Sequence, residues 1–126
     1  MNEQSISRFA IILLALVMAV FGIYHFIYPQ NLLAYVPAFL PGAGNLWVYI
    51  PGAAFILAAI AFVTNKRVKL AAYLLAVLLF VFVLTIHLPN YLNGSSDEYR
   101  QLSLINLLKD TAIAAFALHI AANSSN

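Results

Sequence analysis

The chain has 126 residues, 64% of them hydrophobic and only 8% charged, with a mean hydropathy of +0.94. Soluble domains carry about 25% charged residues because a folded globule must face water, so this composition excludes an ordinary water-soluble domain and makes lipid the solvent. The net charge of +2 and the pI near 9.0 do not mark a nucleic-acid binder, because Lys66, Arg67 and Lys69 form the only basic cluster and lie between two apolar runs. With no cysteine, disulfides, thiol redox chemistry, cysteine metal sites and palmitoylation are excluded.

The length allows one domain, residues 1–126,. Four apolar stretches follow in chain order. The first runs from about Arg8 to Tyr28 and ends at Pro29. It is longer than the core of a secretion signal and lacks an Ala-x-Ala end, so it reads as a retained helix. The second runs from about Leu46 to Thr64, the third from about Val68 to Leu88 before Pro89-Asn90, and the fourth from about Gln101 to Ala122. Each is about 20 residues, the length an α-helix needs to cross roughly 30 Å of hydrocarbon. None alternates apolar with polar residues as a membrane β-barrel strand must. The expected fold is all-α: an antiparallel bundle of four transmembrane helices.

Basic residues set the orientation. Lys66, Arg67 and Lys69 occupy the second connection and Arg8 the amino-terminal flank, whereas the first connection holds no charge. The positive-inside rule then places both termini in the cytoplasm. Tyr28, Tyr35, Trp47, Tyr49, Tyr91 and Tyr99 fall on the outer side, as an interfacial aromatic belt requires,. The connection from Pro29 to Asn45 is unusually apolar, with Leu32, Leu33, Tyr35, Val36, Phe39 and Leu40. An interfacial half-helix or a re-entrant cap fits it better than a water-exposed loop.

Ionisable groups in lipid are expensive, and so are the first candidates for function. The fourth stretch carries Asn106, Lys109 and Asp110. Asp110 lies roughly 14 Å below the outer interface by helical rise. Lys109 can snorkel outward and Asp110 cannot. Asn106 and Asp110 share a face that Ser103, Ala114 and Ala117 extend,. Lys109 and Asp110 point about 100° apart and are expected to find partners elsewhere. Tyr24, His25 and Tyr28 on the first helix, and His87 and Asn90 on the third, are those partners if the helices pack antiparallel. The expected site is therefore a polar pocket in the outer half of the bundle. Structural interhelical glue is the competing reading of the same residues. No His-x3-His spacing is present, so no metal site is expected,. Pro51-Gly52 and the small residues Ala53, Ala54, Ala58, Ala59 and Ala61 point to a kink and close helix packing in the second stretch,.

The segment Gly22-Ile-Tyr-His-Phe-Ile-Tyr-Pro-Gln, then Val36-Pro37, Leu40-Pro41, Tyr49-Ile-Pro-Gly52, Leu88-Pro89-Asn90 and Asn106-Leu-Leu-Lys-Asp110, resembles the DoxX-like membrane proteins over nearly the whole chain. The resemblance implies a small four-helix protein, in a bacterial inner membrane, of a mostly uncharacterised family, some of whose members accompany membrane oxidoreductases. Distant relatives serve as membrane-protein chaperones. Where that family often has an acid, one turn after the glycine of the second helix, this chain has Phe55.

Three functions are compatible with these residues: a binding or accessory subunit holding a quinone, lipid or small amphipath; the membrane subunit of a quinone-linked oxidoreductase; and an assembly factor for other membrane proteins. No haem, flavin or nucleotide motif is present, which weighs against an enzyme acting alone. The one cofactor compatible with these residues is a dissociable quinone. The compatible partners are the bilayer, a redox enzyme, another membrane protein or, as a homo-oligomer, a second copy of the chain.

Overall fold

The computed structural model describes residues 2–42 and 44–126. Among these the chain is all-helical: α1 (Glu3–Ile27), α2 (Leu46–Thr64), α3 (Val68–Phe82), α4 (Leu88–Asn93) and α5 (Asp97–Ala122). A π-helical turn, Val83–His87, joins α3 to α4 into one continuous rod. Four helical rods are long and apolar enough to cross a membrane: Glu3–Ile27, Leu46–Thr64, Val68–Asn93 and Asp97–Ala122.

Three boundaries differ from the apolar stretches. α1 starts at Glu3 rather than Arg8 because Asn2 caps it, its side chain accepting from Ser5 N–H at 2.8 Å,. α5 starts at Asp97 rather than Gln101 because Ser96 accepts from Tyr99 N–H, with Asp97 and Glu98 favourably placed in the first turn,. The third rod does not stop at Leu88. Proline lacks a donor and normally breaks a helix interior. Here Leu88 N–H reaches Val83 O, five residues back, and Pro89 falls in the first turn of α4. The rod continues through Pro89 to Asn93.

The apolar connection after α1 forms two single 3-10 turns, Pro29–Asn31 and Leu33–Tyr35, rather than a half-helix. At the other end the chain reverses sharply. Asn65 takes the left-handed conformation that closes α2, and its N–H bonds to Ala61 O,.

α1 packs chiefly on α2, and α3 chiefly on α5. Along the first pair, Arg8 meets Phe62 and Val63, whereas Gly22 meets Gly52. Along the second, Lys69 meets Asn126, whereas His87 meets Asp110. The core is concentrated toward the Asn65 turn, where Met18, Phe62, Ala72, Ala114, Ala117 and Ala121 are completely buried among Leu14, Leu75 and Leu79. Small residues at these positions let the rods approach closely. Large apolar side chains such as Leu16, Val20, Leu57, Leu74 and Leu84 point outward. An apolar exterior of that extent belongs in a lipid bilayer rather than in water.

Candidate functional site

Toward the other end the rods part around a half-open cavity of about 700 Å³. Its walls come from α1, α2, the third rod and α5, and Leu32, Tyr35, Val36, Pro37, Phe39 and Leu40 of the first connection complete them. The volume falls within the roughly 300–1,000 Å³ typical of small-molecule pockets. The lining is almost wholly apolar apart from one polar wall.

That wall is built around Asp110. The carboxyl group sits at the middle of α5 and is only 4% exposed. Its Oδ2 lies 2.9 Å from His87 Nε2, and its Oδ1 lies 3.4 Å from Lys109 Nζ. A carboxylate can only accept, so His87 Nε2 carries the hydrogen and donates it. His87 Nδ1 is then left as an acceptor, buried and without a partner among the described residues. The expectation that Lys109 and Asp110 would not pair is corrected. Their backbone directions do diverge, but the lysine stem is long enough to bring its ammonium back to the neighbouring carboxylate,. The ammonium also stands 4.9 Å from the centre of the Phe21 ring, within cation–π range,.

The π-turn contributes to this geometry. One extra residue in a helical turn rotates the residues after it by about 100°. His87 closes that turn and is turned onto Asp110. Asn90, three residues later, is not among the cavity-lining residues. Thr85 lies within the turn, and its hydroxyl donates to Val81 O at 2.6 Å. That side-chain bond occupies a carbonyl of the preceding helical turn.

On α1, His25 Nδ1 is 2.6 Å from Phe21 O and donates to it, since a carbonyl only accepts,. The ring meets Phe55 edge-on at 5.3 Å. Phe55 is buried and also packs against Phe21 and Phe82. The position at which the DoxX-like proteins often carry an acid is therefore the centre of an aromatic floor. His25 is set against α2 by Gly52, where an added Cβ would lie 2.7 Å from His25 Cβ. Gly22 faces the same contact, with an added Cβ 2.8 Å from Gly52 O.

Of the expected site residues, the structure gathers Tyr24, His25, His87, Asn106, Lys109 and Asp110 around the cavity. Tyr28 is not among them. It leaves the helical stripe at the end of α1, with φ −124° and ψ 53°, and its exposed ring packs on Tyr24 at 5.1 Å. The sequence reading missed Phe21, Phe82 and Thr85 as lining residues. Phe21 carried a usable signal, since it lies one helical turn before His25.

His119 is exposed and neighbours Asn123, away from this site. No cluster of three or more possible metal ligands occurs among the described residues.

A family model described as a domain of unknown function, DUF8561, matches residues 14–121. The chain belongs to that family. The match takes in the whole polar wall, the second and third rods, α1 from Leu14 onward and α5 to Ala121. No curated protein and no solved structure matches the chain.

Proposed function

We propose that the chain is an integral membrane protein whose four rods form an antiparallel bundle, with both termini in the cytoplasm and the cavity in the outer half. In this reading it is a binding or accessory protein that holds a quinone, a lipid or another small amphipath. Kinship with the DoxX-like proteins is part of the same proposal. The observation that carries it is the joining of an apolar cavity of about 700 Å³ to a polar wall made of the buried His87–Asp110 pair and the half-exposed Lys109. Interhelical glue alone would not call for a cavity, because polar helix contacts form in close-packed bundles.

A second reading, the membrane subunit of a quinone-linked oxidoreductase, draws on the His87–Asp110 pair. An imidazole held by a carboxylate on one nitrogen and free on the other is the ordinary arrangement for proton exchange. In that role the chain would act with a soluble redox partner.

The test is mass spectrometry of organic extracts from gently purified native protein and from Asp110→Ala. A quinone or lipid retained in fixed proportion by the native chain and lost from the variant is the expected result. Equal bulk lipid in both would make the polar wall structural.

A further inference from the structure

The hydrogen-bonding pattern of the polar wall narrows the ligand class, on the premise that the cavity binds an amphipath. His25 is fixed as one tautomer: its Nδ1 hydrogen is engaged by Phe21 O, so Nε2 is an acceptor,. That nitrogen has no hydrogen-bond partner among the described residues, and the ring lines the cavity. A donor lines the same cavity. The Lys109 ammonium has three hydrogens and stands 3.4 Å from Asp110 Oδ1 and 4.9 Å from the centre of the Phe21 ring,. Phe21 therefore ties both groups together, through its carbonyl for His25 and through its ring for Lys109. The cavity thus presents an acceptor and a cationic donor that share a contact with one residue, Phe21.

A hydroxyl group satisfies both at once, because it donates one hydrogen and accepts through its lone pairs. A carbonyl or ether oxygen answers only the lysine and leaves the imidazole nitrogen unpaired when water is displaced. The remaining walls specify what carries the hydroxyl. Phe21, Trp47, Phe55 and Phe82 line the cavity. Rings arranged around a space favour a planar aromatic guest.

We infer that the cavity takes an aromatic alcohol, a phenol or hydroquinone with an apolar tail, whose hydroxyl donates to His25 Nε2 and accepts from Lys109 Nζ. By the same pairing a hydroquinone binds more tightly than its quinone.

The chain's one tryptophan, Trp47, lines the cavity and reports occupancy by its emission. The probes are 4-nonylphenol and its methyl ether, titrated into native protein and into His25→Phe in the same detergent. Comparing the ratio of the two dissociation constants between proteins cancels partition into micelles. The native chain is expected to prefer the phenol by about tenfold, the order of effect of one buried polar group left unpaired. In His25→Phe the preference should fall to near unity, whatever the variant's absolute affinity for the ether. Equal binding of both probes to the native chain overturns this inference and leaves amphipath binding standing. Saturable binding of neither probe overturns both. The native comparison decides the matter even if the variant does not fold.

Discussion

The two ends of this molecule are built from the same four rods and similar residues, yet they do opposite things. Toward the Asn65 turn, Met18, Phe62, Leu75 and Ala114, Ala117 and Ala121 of α5 interlock with almost no accessible surface. Toward the Pro29–Leu40 connection the rods diverge around about 700 Å³ of space, with a carboxylate, an ammonium and two imidazoles on one side. Alanine is abundant at the closed end, where it permits close approach. At the open end the aromatic rings of Phe21, Phe55 and Phe82 hold the walls apart. Stability and site are therefore separable along the length of the rods.

Substitutions can break or sharpen that separation. The largest effect on folding is expected from Phe62→Ala, which empties a fully buried position. It should cost about 3–5 kcal/mol, read as a large fall in thermal midpoint in detergent. If the protein tolerates it with little change, the closed end is not the stabilising core. Asp110→Ala should cost about 2 kcal/mol, since it strands the buried His87 donor, while half-exposed Lys109 can snorkel toward the interface,. Its distinguishing result is loss of ligand, which Phe62→Ala should not cause in the protein that still folds.

Gly52→Ala is expected to cost about 1–3 kcal/mol by overpacking. Its new methyl would press on His25 rather than on the closed end, so binding should weaken along with the thermal midpoint. Binding unchanged in this variant would show that His25 does not position the ligand. Arg8→Met removes the guanidinium that donates to Phe62 O and Val63 O at 2.7 Å each. Those are terminal carbonyls of α2, so about 1 kcal/mol should be lost, with binding intact. Tyr28→Phe, at an exposed ring outside the cavity, should change neither quantity measurably.

Much of this was legible in the residues, for identifiable reasons. Hydropathy located four rods because lipid demands about 20 apolar residues per crossing. It placed α2 at its observed limits, where Asn65 ends both the apolar run and the helix. It missed the ends of α1 and α5 because Asn2 and Ser96 cap polar turns that hydropathy treats as flank. Pro89 misled for a different reason: a proline need not stop a membrane helix, as Pro51 inside α2 also shows, and here a π-turn precedes it,. Asp110, Lys109, Asn106 and His87 announced themselves by the cost of putting them in lipid. The cavity did not. Its floor is Phe55 and Phe82, and in sequence nothing distinguishes a ring that walls a space from one that fills it.

The most direct test of this division uses the cysteine-free chain as a background for single cysteines. Asn106→Cys faces the cavity, and Ile105→Cys lies beside it at the same depth but points outward. Each would be labelled with a small membrane-permeant thiosulfonate, with and without saturating 4-nonylphenol. Ligand should slow labelling severalfold at position 106 and leave position 105 unchanged. Labelling of both positions slowed equally, or of neither, would contradict a ligand site at the open end.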